Sequence, residues 1–226
     1  MLNFIIDHQL DMMLALSSIC CTIAIFVLLA KALPMTRRMT LLFLELSAMI
    51  LLYMDRLTYI YNGNTTKLGF VINRVSTFMD FVFTDVVVLA FNLFLIDLYK
   101  NDGKMPKIPI RLQLCNVFMI IGIALCIVGD ITGMYYTFDA SNIYSRGSGY
   151  VISYLFPFFV PLIQLSVIIQ YRKLLNRKVV IANILFLIIP QMCSIAQLFI
   201  YGTSFTNIGI IITAIIIYIV ALFYLI

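Results

Sequence analysis

The chain has 226 residues, of which 63% are hydrophobic and 11% charged, with a mean hydropathy of +1.08. A soluble domain is typically about 25% charged, so these values exclude an ordinary one. The net charge of +5 comes from basic residues spread over short segments with no interleaved aromatics, which gives no nucleic-acid-binding face.

Seven apolar runs follow one another. A membrane-crossing helix needs ~20 apolar residues. Runs of that length without alternation select helices, because backbone polar groups must pair internally in lipid. The first span is expected over about 10–33, ending before Pro34, and the second over 40–61, ending at the Asn62-Gly63 turn signal. The third, 70–98, is the longest and most polar, and precedes a loop with Asn101-Asp102-Gly103, Pro106 and Pro109. The fourth, 112–134, leads into a polar and aromatic loop at 135–148. The fifth, 149–171, holds Pro157 and Pro161, and the sixth, 179–201, holds Pro190; both are expected to kink. The seventh, 208–226, carries no charge. The expected fold class is an all-α membrane protein, a single seven-transmembrane helix bundle over residues 1–226.

Eleven of the fifteen basic residues fall in the connections after the first, third and fifth spans: Lys31, Arg37, Arg38; Lys100, Lys104, Lys107, Arg111; and Arg172, Lys173, Arg177, Lys178. Cytoplasmic loops collect Lys and Arg, so the N-terminus is expected outside and the C-terminus in the cytoplasm of a cell-membrane, multi-pass protein. The last span reaches Ile226 on the cytoplasmic side, where an effector domain is expected to follow. Asn64-Thr65-Thr66 is either a glycosylation sequon on the outer side or a plain turn sequence.

Charges inside spans are costly and usually face the bundle interior or water. On the third span Arg74, Asp85 and Asn92 are spaced by eleven and seven residues, which at ~100° per residue brings them within about 20° of one another. Asp80 points off this face. On the second span Glu45 and Arg56 share a face, with Asp55 about 80° away. In the expected topology Asp55, Arg56, Arg74, Asp130, Gln197 and Tyr201 all lie in the outer half. The candidate ligand-binding residues are Arg56, Arg74, Asp85, Asp130, Tyr135, Tyr136, Asp139, Tyr144, Arg146 and Gln197, with Arg56 and Arg74 placed to grip an acidic or polar ligand. The competing readings are interhelical ion pairs for the charges and an interfacial aromatic belt for the loop tyrosines. Gly122, Cys126, Gly129 and Gly133 form a small-residue stripe suited either to internal packing or to a dimer seam. No nucleophile–base pair, metal-ligand spacing or phosphate loop is visible, so neither catalysis nor a cofactor is expected within this chain.

Seven spans in this orientation suggest several receptor and transporter classes. The last span has no lysine for retinal, which argues against a rhodopsin. Asp55-Arg56 lies at the outer end of span two rather than the inner end of span three, which argues against a G-protein-coupled receptor. A single Pro190-Gln191, in span six, argues against the PQ-loop transporters, which carry the motif in two halves. The chain resembles instead the N-terminal seven-helix membrane region of bacterial (Firmicutes) signalling proteins, which precedes GGDEF diguanylate cyclase or HD phosphohydrolase domains, a related region preceding histidine kinases. The resembling segments are FIIDHQLD at 4–11, LELSAMILLYMDRLTYIYNG at 44–63, LGFVINRVSTF at 68–78, FNLFLIDLY at 91–99, GMYYTFDASNIYSRGSGYVISY at 133–154, LIQLSVIIQYRK at 162–173 and YGTSFTN at 201–207. The resemblance implies a sensor of unknown stimulus, preceding an effector such as an enzyme of cyclic-di-GMP signalling. The expected function is a module that binds an extracellular or membrane-borne small ligand, works as a homodimer in the lipid bilayer, and passes the signal through span seven to a cytoplasmic effector. The alternative is a small-solute or ion transporter of seven-helix type.

Overall fold

The computed structural model describes the backbone of residues 2–199 and 202–224 and the side chains of 8–197 and 202–224. Tyr201 and Ile226, both named in the sequence reading, lie outside the described residues. Seven long helices carry the fold: α1 (Leu2–Leu29), α2 (Met35–Tyr61), α3 (Lys67–Asn101), α4 (Ile110–Thr132), α6 (Leu155–Tyr171), α7 (Arg177–Phe199) and α8 (Phe205–Tyr224). A short helix, α5 (Tyr150–Ser153), precedes α6. A hairpin of β1 (Tyr136–Phe138) and β2 (Tyr144–Arg146) joins α4 to α5, pairing antiparallel with Phe138 opposite Tyr144. The long helices pack in chain order, and α8 closes the ring against α7, α2 and α1.

Boundaries depart from expectation where local chemistry intervenes. The first helix begins at Leu2 rather than near residue 10, and Gln9 Nε2 donates to Gly202 O at 3.2 Å, tying it to the α7–α8 turn. It stops at Leu29 rather than 33, and a turn over 31–33 leads to Pro34 at the start of α2. The expected fifth span is broken at Tyr154, between α5 and α6. Asn64 and Thr66 build the entry to α3: Thr66 Oγ1 accepts from Gly69 N at 3.0 Å, and Asn64 Oδ1 accepts from Thr66 N at 3.0 Å.

Six of the helices are long and apolar enough to cross a membrane. The outward faces are apolar, with Ile131, Val151, Leu29 and Phe159 exposed, while Glu45, Asp55, Asp85, Asn92, Gln164 and Asn183 are buried. This distribution is that of an all-α membrane protein. The helix outside the six is α2, whose apolar run is interrupted by Glu45, Asp55 and Arg56. It is nevertheless 27 residues long, ~40 Å at 1.5 Å per residue, and packs on α1, α3 and α8.

Polar side chains hold the helices together. At one end the buried Arg37 of α2 bridges Asp97 of α3 and Asp102 just beyond it, and Arg111 of α4 bonds Gln170 of α6. Asn92 Nδ2 donates to Leu112 O at 2.7 Å and to Asn116 Oδ1 at 2.8 Å, and its Oδ1 accepts from Gln164 Nε2 at 3.2 Å, so one amide links α3, α4 and α6. Phe91 stacks on Phe186 with ring centroids 4.2 Å apart, joining α3 to α7.

The prolines are handled in kind. Pro161 lies inside α6 and has no N–H for the carbonyl of Pro157 four residues earlier. Gln191 of α7 supplies the missing donor, its Nε2 lying 3.0 Å from Pro157 O. Gln191→Leu is expected to leave that carbonyl unpaired in an apolar setting, at about 1–3 kcal/mol. In a Pro161→Ala background, where residue 161 regains an N–H, the same change should cost little. Thermal unfolding of the four proteins in detergent measures the difference, and additive costs would place the role of Gln191 elsewhere.

Candidate functional site

Opposite the Arg37 end, a cavity of about 310 Å³ lies between the ends of α2, α3, α7 and α8 and beneath β2 and α5. Each element contributes residues at helical spacing. From α2 come Asp55, Thr58, Tyr59 and Asn62, and from α3 come Asn73, Thr77, Asp80, Phe81 and Thr84. Gln197 of α7, with Thr203, Thr206 and Asn207 in and before α8, forms the far wall. Tyr144, Arg146, Tyr150, Ser153 and Tyr154 come from the hairpin and the break after it.

Two carboxylates share one donor in this wall. Asn207 Nδ2 lies 2.7 Å from Asp55 Oδ2 and 3.1 Å from Asp80 Oδ1, so an amide of α8 bridges acids of α2 and α3. The Ser204 hydroxyl also donates to Asp55. Gln197 Oε1 accepts from Thr206 N at 3.0 Å and from its hydroxyl at 2.8 Å, holding α7 to the start of α8. Two further wall atoms, Asn73 Oδ1 and Thr77 Oγ1, are buried without a hydrogen-bond partner among the described residues. Buried polar atoms are normally paired, so these two are suited to meeting a ligand.

The hairpin is fastened over the cavity by Asn142, which is fully buried and has a φ of +61°. Asparagine tolerates this left-handed conformation better than most residues. Its Nδ2 faces the carbonyls of Tyr61, Asn64 and Gly69 at 3.3, 2.9 and 3.3 Å, its Oδ1 accepts from Arg74 Nη1 at 3.0 Å, and its backbone oxygen accepts from Gly63 N and Asn73 Nδ2, both at 3.0 Å. Asn142, with Tyr144 N, which donates to Asn62 Oδ1 at 2.9 Å, therefore binds the hairpin to the α2–α3 turn.

Of the residues singled out by sequence, Tyr144, Arg146 and Gln197 line the cavity, and the other seven are placed elsewhere. Arg56 faces α1, where its Nε donates to Leu10 O at 2.9 Å. Arg74 is exposed, with its guanidinium 4.9 Å from the ring centres of Phe70 and Phe138. Asp85 is buried against α4 beside the Cys126 thiol, which lies 3.5 Å from Oδ2. Asp130 is exposed and accepts the Tyr136 hydroxyl at 2.6 Å. Burial and that carboxylate hold the Tyr136 phenol above its ordinary pKa. Tyr135 and Tyr136 are buried around Phe81, the latter ring stacked at 5.0 Å. Asp139 turns the hairpin, its Oδ1 accepting from Ser141 N and Ile143 N at 2.9 and 2.8 Å.

The small-residue stripe of α4 has an internal use. A Cβ on Gly122 would lie 2.8 Å from Asp85 Oδ2, and one on Gly129 would lie 2.6 Å from the Tyr135 ring. The glycines make room for the acid and the tyrosine, and this face is filled from within rather than left for a second helix. Gly133 instead ends α4 in the left-handed conformation, φ +67°.

The sequence reading missed Asp55, Asp80, Asn73, Thr77 and Asn207 as wall residues. Their signal lay in spacing: Asn73, Thr77, Asp80 and Thr84 recur at four, three and four residues, and Asp55, Thr58, Tyr59 and Asn62 at three, one and three. The Arg74–Asp85–Asn92 stripe faces α4 and the hairpin, roughly a quarter turn away from this second stripe.

Asn142→Asp preserves shape and conformational tolerance but turns an oxygen towards three carbonyls. It is expected to loosen the hairpin, seen as faster proteolysis within 138–144 and faster amide exchange at Gly63, with helix content retained. Unchanged exchange at Gly63 would show that the backbone contacts alone hold the hairpin down.

No family model, no curated protein and no solved structure matches the chain.

Proposed function

We propose that this chain is a seven-span sensor module of the cell membrane, with the hairpin outside and the Arg37–Asp97 end in the cytoplasm. A small ligand entering beneath the hairpin is bound in the cavity, and the change is passed along α8 to a cytoplasmic signalling domain, in a homodimer. The observation that carries the reading is the cavity itself: it lies at the end away from the basic segments, and its wall holds buried polar atoms without partners. Site geometry of this kind, a concave pocket with a few convergent polar groups, is the usual form of a small-molecule site. The basic-residue distribution supports the orientation. The helix outside the apolar six, α2, is included as a span because its length suffices and its acids Glu45 and Asp55 are buried against neighbours.

One observation favours the transporter alternative. A second cavity of about 70 Å³ shares Thr84, Tyr154 and Thr206 with the first and reaches Pro157, Pro161 and Pro190, so a path towards the bundle centre is sketched. Counterflow uptake into proteoliposomes separates the readings: a sensor ligand binds without accumulating.

Orientation is tested with single cysteines in a background lacking the five native ones. An impermeant maleimide on intact cells should label Ser141→Cys, and should label Lys104→Cys only after permeabilisation. The reverse pattern would overturn the topology and the sensor reading together.

A further inference from the structure

We infer that the cavity recognises a ligand through an ammonium group, held between the carboxylates of Asp55 and Asp80. The inference rests on the proposal that this cavity is the ligand site, and adds the chemistry of what it takes.

The wall is rich in acceptors whose protons are already committed. The hydroxyls of Thr58, Thr84 and Ser153 donate to backbone carbonyls of their own helices at 2.7, 2.8 and 2.7 Å, so what they offer the cavity is oxygen lone pairs. The amide of Asn73 is oriented by its neighbour: the atom 3.0 Å from the carbonyl of Asn142 must be the nitrogen, since a carbonyl only accepts. Its oxygen is therefore the buried, unpartnered atom, and it needs a donor. Asp55 is 7% exposed, and with Asp80 it has one shared amide donor and the Ser204 hydroxyl against two carboxylates.

The balance of charge points the same way. Two carboxylates and one guanidinium line the cavity, and the guanidinium of Arg146 lies 4.5 Å from the centre of the Tyr150 ring in the hairpin region. Asp80 lies deeper, thirteen residues into α3, or ~20 Å along its axis. The acids are thus set below the one cation. An anion would meet two acidic side chains there, whereas an ammonium supplies N–H donors to their oxygens and the charge opposite to a carboxylate. The pair Arg56 and Arg74, which would suit an anion, is turned towards α1 and the hairpin instead.

The test uses three probes of one size and three charges: benzylamine, benzyl alcohol and benzoate, titrated calorimetrically into the whole chain in nanodiscs at neutral pH. Benzylamine should bind more tightly than the alcohol by about tenfold or more, and benzoate should not bind at millimolar concentration. Asp80→Asn should remove most of the preference for the amine while the alcohol binds as before. If Asp80→Asn fails to fold, Asn73→Leu, which removes the unpartnered acceptor, should still weaken the amine selectively, and Thr77→Phe, which fills the cavity, should abolish binding of every probe. Equal or tighter binding of the alcohol or benzoate, blocked by Thr77→Phe, would overturn the ammonium and leave the pocket standing. Binding of no probe, or binding indifferent to Thr77→Phe, would overturn both.

Discussion

A buried polar group in an apolar surrounding must find a partner, and α2 carries more such groups than any neighbouring helix can ignore. Arg37, Glu45 and Asp55 lie about eight to ten residues apart on it, all buried. Arg37 is met by Asp97 of α3 and Asp55 by Asn207 of α8, whereas both carboxylate oxygens of Glu45 are buried without a hydrogen-bond partner among the described residues. The helix least suited to lipid by composition is therefore surrounded by the three that shield it. Breaking a buried charge pair by removing one partner costs several kcal/mol, so the Arg37–Asp97 pair fixes the register of α3 against α2. The cavity exists where this shielding is incomplete, at the level of Asp55, because the acid of α2 and that of α3 face one another and only one amide stands between them.

The second constraint is the hairpin. Four helices meet the cavity from below, but none of them closes it; the loop between α4 and α5 does, and it is held by Asn142 rather than by apolar packing alone. The tyrosines of β1 and its approach are anchored on the other side, in the space left by Gly129 and around Phe81. The lid thus has an apolar root towards α4 and a polar latch towards the α2–α3 turn.

How much of this was legible in the sequence differs by level. Apolar length and the proline and glycine signals located the long helices to within a few residues at most ends, because those features act locally. The start of α1 was missed because FIIDHQLD mixes polar and apolar residues, and its helix is stabilised by contacts such as Gln9 with Gly202, which are remote in sequence. At the site, depth was legible and direction was not. Asp55, Arg74, Asp130 and Gln197 were rightly grouped as neighbours of one end, but depth alone cannot say which helix a residue faces. Choosing the stripe with the most charge selected Arg74 and Asp85, whose partners lie on α4 and the hairpin, over the stripe of Asn73, Thr77 and Asp80. Asn142 carried no pattern at all: its role depends on a left-handed backbone and on three carbonyls brought together from 61–69, none of which a spacing rule can see.

The helix that completes the cavity is also the one best placed to report on it. α8 begins at the site, where Ser204 and Asn207 bond Asp55 and Gln197 holds Thr206, and runs between α1, α2 and α7 to the opposite end, with Ile211, Ala214, Ile217 and Ala221 buried along its length. A ligand shifts a conformational equilibrium only by as much as it distinguishes the two states. In this site the distinction has a physical source: a donor arriving between Asp55 and Asp80 competes with the Asn207 amide for the same oxygens. If the ligand wins, the start of α8 loses its bond across to α3 while the small residues Gly209, Thr213 and Ala214 leave the helix little side-chain bulk to hold it in place. If Asn207 wins, the two acids remain bridged and α8 stays where it is. On the proposed reading, the occupancy of two carboxylates would be converted into the position of one helix.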